Sequence, residues 1–216
     1  MTMPAWALAD LVKAQAPGAA EALGGFDYPP VAAVTLAYPE SSVRDDRKAA
    51  DGSVPGFGQL HPRTQGVTTL GTIYSSSLFP GRCPSGEILL LNYIGGATNR
   101  GVKDATTEQL AEQVDKDVRK MLLKPDAPPP RIVGVRVWPR AIPQFNVGHL
   151  DQLDKAKQAM ASAGLGGVLL GGNYVSGVAL GKCVEYGYEF AEQVAGYVKA
   201  QKAAGTADTR ERVGAA

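Results

Sequence analysis

The stretch that decides the fold is Leu169-Leu170-Gly171-Gly172-Asn173-Tyr174-Val175-Ser176-Gly177-Val178-Ala179-Leu180-Gly181. It predicts a short buried strand at 167–170, a glycine turn, and a long helix from about residue 178 to residue 202. Glycines let another group approach the backbone closely, and a helix N-terminus offers unpaired N–H groups with a partial positive charge. Such a turn can hold a phosphate or another electron-rich group, or its glycines can serve packing alone. The spacing by itself favours packing, about two to one.

The segments upstream of this stretch alternate between strand and helix patterns. We predict strands at 31–38, 57–60, 69–75, 87–94 and 132–138, and helices at 106–122 and 150–163. A further helical segment begins at Pro4 and ends by Gly24-Gly25. Strands and helices mixed in one continuous run indicate an α/β or α+β fold. The last dozen residues are small and polar, and we expect them to be frayed.

The helix predicted at 106–122 carries the clearest local signals. Thr106 and Gln109 have the spacing of a capping box, in which two side chains satisfy the first free N–H groups of a helix. The apolar residues inside the helix repeat at every fourth position: Leu110, Val114, Val118 and Leu122. This repeat predicts a stripe that faces the core.

The composition excludes several classes of protein. The chain has 22 Lys and Arg against 21 Asp and Glu, for a net charge of +1, so nothing in the charge predicts a nucleic-acid partner. Its two cysteines, Cys83 and Cys183, form neither a disulfide framework nor a CxxC metal motif. No run of apolar residues is long enough for a membrane-spanning helix, and the first residues do not predict a signal or transit peptide.

Motifs for common catalytic and nucleotide sites are absent from these 216 residues. The sequence contains neither G-x-G-x-x-G nor a Walker A motif. Only His61 and His149 could serve a histidine-based triad or a metal centre, so we predict no metal site and no catalytic side chain. Each histidine is interpreted as a hydrogen-bonding or packing residue.

Seven segments together resemble the oxygen-dependent protoporphyrinogen oxidases of the plant and algal chloroplast type. The resemblance covers roughly residues 1–200, and its motifs occur in the same order as in that family. The segments are GFGQLHPR (56–63), TLGTIYSSSLFP (69–80), LLNYIGG (90–96), VRVWP (135–139), AIPQF (141–145), VGHL (147–150) and GGNYVSGVALG (171–181).

The resemblance implies an FAD enzyme that converts protoporphyrinogen IX to protoporphyrin IX with O2 as acceptor, in haem and chlorophyll synthesis in the chloroplast. It implies an amine-oxidase-like fold, of which this chain is expected to be the C-terminal part, without the Rossmann βαβ unit. Residues 1–130 then belong to the substrate domain, residues 131–204 close the FAD domain, and residues 205–216 form a disordered tail. Peripheral membrane association and a homodimer of the full enzyme are further expectations. The alternative is a non-catalytic module of the same ancestry that binds a tetrapyrrole or a protein.

Carried over position by position, the resemblance also implies site residues. The expected FAD contacts are Asn173, Val178, Ala179 and Leu180. The expected porphyrinogen-lining residues are Phe57, Tyr74 and Val34. No side-chain acid or base is implied, because the reaction implied is hydride loss from a macrocycle carbon to the flavin.

Overall fold

The computed structural model describes residues 1–214, and describes side chains for residues 1–203. The chain divides into two units. We call Pro29–Ile142 the sheet unit, and Met1–Tyr28 together with Pro143–Ala216 the helical unit. Both strands and helices occur, so the mixed α/β class predicted from the sequence is confirmed.

The sheet unit is built on five antiparallel strands in the order β2-β3-β4-β1-β5. The strands are β1 (Val31–Pro39), β2 (Gly58–Leu60), β3 (Thr69–Tyr74), β4 (Glu87–Gly95) and β5 (Arg131–Trp138). A one-turn helix, α3 (Ser75–Leu78), follows β3, and α4 (Thr107–Met121) lies between β4 and β5 in the chain. The five strands predicted within this unit are therefore present, each within a residue or two of its predicted bounds.

Helix α4 covers one face of this sheet because its apolar stripe matches the alternation of the strands. Residues at every second position of β1 and β4 are buried, among them Leu36 and Leu90, and they share one core with the stripe of α4. The predicted capping box is present: Gln109 N donates to Thr106 Oγ1 at 3.2 Å, and Thr106 N donates to Gln109 Oε1 at 2.9 Å.

A buried carboxylate fastens α4 to the start of β3. Asp117 is only 4% exposed. Its Oδ2 accepts hydrogen bonds from Thr68 N at 2.9 Å, Thr69 N at 2.7 Å and Thr69 Oγ1 at 2.7 Å, and its Oδ1 accepts one from Gln113 Nε2 at 3.0 Å. Four donors offset the cost of removing a charge from water, so this group holds helix and sheet in register.

The helical unit combines the two ends of the chain. Its helices are α1 (Ala5–Val12), α2 (Pro17–Gly24), α5 (His149–Ser162), the short α6 (Asn173–Ser176) and α7 (Leu180–Gly214). One core cluster joins them, with Leu8, Leu23, Leu153 and Tyr174 among its buried members. Gln152 Nε2 of α5 also donates to Ala22 O of α2 at 2.8 Å. The predicted helix near the N-terminus is thus two helices, because Pro17 starts a new one at its first position.

One further expectation differs from the structure, and the predicted domain bounds stay a prediction. Residues 167–170 form no strand, because their described hydrogen bonds do not form a ladder: the Met1 amino group donates to Leu169 O at 2.8 Å, and Tyr186 Oη donates to Leu170 O at 3.3 Å. The predicted boundary at 130 falls inside the sheet unit, because β5 pairs with β1. The roles given to the predicted domains stay predictions, and the predicted disordered tail lies outside the residues whose side chains are described.

No helix in the described part of the chain combines the length and the apolar character needed to cross a membrane.

Candidate functional site

The glycine turn, residues 171–177, connects the core of the helical unit to α7. Gly172 and Gly177 have φ angles of +118° and +108°, which L-residues rarely adopt. Helix α6 lies between them and forms a single turn, closed by a hydrogen bond from Gly177 N to Asn173 O at 3.2 Å. The chain then enters α7 at Leu180.

The glycines of this turn serve two different purposes. A Cβ atom at Gly171 would lie 3.1 Å from the ring of Phe190, and one at Gly172 would lie 3.3 Å from Thr2 O. These two glycines therefore permit close packing. Gly177 and Gly181 have no neighbour within 4 Å of a Cβ position, so the last part of the turn faces open space. The packing interpretation holds for the first half of the turn, and the second half is free to receive a ligand.

The four residues expected to contact a cofactor lie in the glycine turn or directly after it in the chain, and three of them are exposed. Val178 is 46% exposed and Leu180 is 81% exposed, while Ala179 is exposed and Asn173 is partly buried. They span eight positions around the N-terminus of α7. The first N–H groups of a helix have no partner within the helix, and the helix dipole places partial positive charge beside them. The arrangement suits an electron-rich, flat group, and the individual contacts stay predictions.

The side chain of His149 forms a hydrogen bond with the backbone of the glycine turn. The ring lies at the start of α5 and is 7% exposed. Its Nε2 is 2.7 Å from Tyr174 O, and because a carbonyl oxygen only accepts, Nε2 carries the proton and donates. The ring also stacks on Phe145 at a centroid distance of 4.1 Å and contacts Phe26 at 4.7 Å. His149 thus fixes the backbone of α6 from a position 25 residues earlier in the chain.

The floor of the turn is apolar. Tyr174 is fully buried, and its hydroxyl has no hydrogen-bond partner. Burial raises the pKa of Tyr174, and the neighbouring Tyr28 and Tyr186 raise it further, so the hydroxyl stays neutral. The pKa of Tyr28 is also raised by burial, although its hydroxyl accepts a hydrogen bond from Ala5 N at 3.2 Å. The hydroxyl groups of Tyr28 and Tyr174 are therefore uncharged at neutral pH.

The structure brings two of the three expected substrate residues together in the sheet unit. Tyr74 N donates to Phe57 O at 3.1 Å, so the two residues are neighbours where β2 and β3 meet. Phe57 is 67% exposed, whereas Tyr74 is buried, and its hydroxyl donates to Gln59 Oε1 at 3.0 Å. Burial raises the pKa of Tyr74. Val34 is fully buried in β1 opposite Asn92 of β4. Of the three, only Phe57 offers a broad surface to a ligand, and all three roles stay predictions.

Comparison with known proteins assigns the chain to a family. The family model described as flavin containing amine oxidoreductase matches residues 1–195. A protein from Nicotiana tabacum named as a chloroplastic protoporphyrinogen oxidase is 60% identical over 92% of this chain and 36% of its own length. A protein of the same name from rice is 57% identical over 92% of this chain and 37% of its own length. The chain therefore spans little more than a third of these curated relatives.

The fold has a counterpart among crystal structures. A protein from Exiguobacterium sp. 255-15, provisionally assigned as a protoporphyrinogen oxidase, superposes with a TM-score of 0.62 at 18% identity. The match covers 89% of this chain and 40% of that one. At this identity the likeness shows a shared amine-oxidase-like fold.

Proposed function

The chain belongs to the flavin-containing amine oxidoreductase family, and from this premise we propose that it supplies the C-terminal part of an FAD-dependent oxidase that converts protoporphyrinogen IX to protoporphyrin IX. The observation that carries the proposal is the open half of the glycine turn, at the N-terminus of a long helix, in a chain that is 60% identical to a chloroplastic relative of that name. The observations do not favour the alternative of a non-catalytic binding module.

The residues of the turn fit a flavin. The open space at Gly177 and Gly181 would be filled by any side chain, and both positions lack one. Val178 and Leu180 present exposed apolar surface beside N–H groups of the first turn of α7. A flavin ring has an apolar face and carbonyl oxygens along one edge, so both kinds of surface find a partner. Asn173, Val178, Ala179 and Leu180 would hold it.

The contribution of this chain is binding and electrostatics. The chemistry that a bound FAD would supply is oxidation: protoporphyrinogen IX would lose six electrons in three two-electron steps, with O2 as the final acceptor. The N-terminus of α7 would stabilise negative charge on a flavin held beside it, because its dipole is already oriented. His149 holds the backbone of the preceding helix α6 through Tyr174 O. The neutral floor at Tyr174 leaves positioning of the reactants as the main role of these residues.

On the substrate side, the exposed ring of Phe57 can stack on one pyrrole of the macrocycle. Tyr74 holds the adjoining strand through Gln59. Dioxygen as acceptor, peripheral membrane association, and a homodimer of the full enzyme are parts of this proposal that rest on the family resemblance. A chloroplast location follows the names of the relatives.

The experiment that tests the proposal measures FAD binding first. The 216-residue chain is coexpressed with the N-terminal remainder of the tobacco relative, and the purified complex is desalted. We expect retained flavin absorbance, and porphyrin fluorescence that develops when protoporphyrinogen IX is added. Gly177→Leu should remove the flavin, because a large side chain would fill the open space and strain a φ of +108°.

The matched control is Gly164→Leu. Gly164 also has a positive φ and no neighbour within 4 Å, but it lies after α5 and away from the turn, so it reports the strain alone. A complex that retains flavin equally in both variants would exclude the turn as the FAD site. A complex that binds flavin and forms no porphyrin would exclude the proposed reaction.

A further inference from the structure

A basic pocket of about 350 Å³ lies in the sheet unit, and its arginine, lysine and histidine residues have no role in the proposed function. It forms where the turn at Asp45–Arg47, strand β2 and the end of α4 meet. Arg44, Arg47 and Lys120 line it together with Gln59 and His61. None of the described residues that line this pocket carries a carboxylate.

The cations of the basic pocket are held in place by backbone carbonyl groups. Lys120 Nζ donates to Gln65 O at 2.6 Å, and Arg44 Nη2 donates to Met121 O at 3.1 Å. Asp46 is the acid beside the two arginines, 3.3 Å from Arg44 Nε and 3.6 Å from Arg47 Nε, and it is 65% exposed. The contact with Arg44 is an ion pair without hydrogen-bond geometry, because Arg44 Nε is buried and makes no hydrogen bond. Each guanidinium group has five N–H donors. Together they offer more hydrogen bonds than the single exposed carboxylate of Asp46 can accept.

His61 adds an unpaired atom to the same pocket. Its Nδ1 lies 2.9 Å from Thr69 O, which only accepts, so Nδ1 carries the proton of the neutral ring. Its Nε2 is buried and has no partner. Burial lowers the pKa of His61, against a smaller opposing effect of Thr69 O and of Asp117, so the ring is neutral at pH 7. Because this nitrogen is shielded from solvent, the His61 ring can report on charge in the pocket but is not a direct ligand of its occupant.

We propose that the basic pocket binds the phosphate group of a small soluble molecule. A phosphate group has anionic oxygens that can accept hydrogen bonds from the unused N–H donors of Arg44 and Arg47, and its charge complements that of Lys120. The cavity volume lies at the lower end of the range for small-molecule sites. Gln59 lines the pocket and also accepts the hydrogen bond of Tyr74, so an occupant would contact the residue that holds Tyr74.

The two histidines of the chain give a direct test with an internal control. The ring protons of His61 and His149 are titrated by NMR on the full 216-residue chain, in inorganic phosphate and in sodium chloride of equal ionic strength. A bound anion favours the charged imidazolium, so the pKa of His61 should rise in phosphate. The titration of His149, in the helical unit, should be the same in both salts. Identical titration of His61 in the two salts overturns the proposal.

A pair of arginine variants separates the pocket from general attraction of anions. Arg47→Gln should bind phosphate about tenfold more weakly and lose the phosphate effect on His61, because one charge-assisted hydrogen bond is removed. Arg63→Gln is the control, since Arg63 is exposed, lies in the adjoining turn and does not line the pocket. Equal weakening in both variants would show screening of overall charge and would overturn the site. The urea midpoint of each variant verifies that it is folded.

Discussion

Helix α4 of the sheet unit and helix α7 of the helical unit differ in how much of their apolar surface is buried. Helix α4 buries its whole apolar stripe, with Leu110, Val114 and Val118 each no more than 3% exposed. Helix α7 leaves Val184 55%, Val194 39% and Val198 43% exposed. One helix completes the core of the sheet unit, and the other presents its N-terminus and much of its apolar surface to solvent.

This difference shows which features of burial an apolar pattern in the sequence predicts and which it leaves undetermined. The repeat in α4 and a weaker apolar line in α7 both indicate which face of a helix avoids water. The line in α7 consists of Cys183, Phe190, Val194, Tyr197 and Val198. Neither pattern states whether the chain itself supplies the partner. For α4 the partner is a sheet formed by nearby strands. For α7 the described residues cover only part of the line, which leaves the first turn accessible to a ligand.

The largest expected effect comes from placing a charge on each helix. Val114→Asp buries an unpaired carboxylate in the core of the sheet unit and should cost more than about 4 kcal/mol of the free energy of unfolding. Val198→Asp on α7 should cost less than about 1 kcal/mol. Urea denaturation followed by circular dichroism measures both. Similar losses in the two variants would mean that α7 is buried as deeply as α4.

The second effect concerns the polar fastening of α4. Asp117→Ala leaves four hydrogen-bond donors without their acceptor and should destabilise the sheet unit by about 3 kcal/mol. Asp104→Ala is the control, because Asp104 is 70% exposed and pairs only with Lys103, and it should change stability by less than about 0.5 kcal/mol. If Asp117→Ala has the same melting temperature as the wild-type protein, the hydrogen bonds to Thr68 and Thr69 make no net contribution to the free energy of unfolding.

The third effect tests whether the helical unit has an equivalent fastening. His149→Phe keeps the stacking on Phe145 but removes the donor to Tyr174 O, and should cost about 1–2 kcal/mol. We expect faster amide hydrogen exchange at residues 173–177, where α6 would open. His149→Gln can restore a donor and should recover part of the protection. Unchanged exchange in His149→Phe would show that packing alone holds the turn.

The smallest effect isolates the start of α4. Thr106→Ala removes one half of the capping box and should lower the free energy of unfolding of the sheet unit by about 1 kcal/mol. Thr106→Ser retains the hydroxyl group and should be nearly neutral. Thermal melting ranks the stability of the wild-type protein and the two variants. If the Ala variant were as stable as the Ser variant, the cap would make no contribution to stability.

Local signals in the sequence predicted much of the sheet unit. The alternation of strands β1 and β4, the i+4 repeat of α4 and the Thr106–Gln109 spacing each act over a few residues, and the structure confirms all of them. The strand predicted at 167–170 failed because a strand needs a neighbour that periodicity does not specify. Residues 1–28 pack with residues beyond 143 in one unit. This contact is long-range in the sequence, so no local pattern predicts it.

The candidate site was predictable to a similar degree. The glycine turn and the helix after it were visible in the sequence, as was the role of His149 as a hydrogen-bonding or packing residue. The partner of His149 was not visible, since Tyr174 lies 25 residues away and offers only its backbone carbonyl. The sequence did not predict that Gly171 is closely packed while Gly177 faces open space. Both are glycines in one short motif, and only their neighbours in the structure differ.

The assembly of the helical unit from both chain ends sets an order of events during synthesis. Residues 1–28 are synthesised before the sheet unit, while their packing partners after residue 143 are made only after the sheet unit. The sheet unit can therefore fold while the chain is still growing. Through that interval α1 and α2 display Leu8 and Leu23, which are buried in the finished protein, and they are the segments on which a chaperone would act.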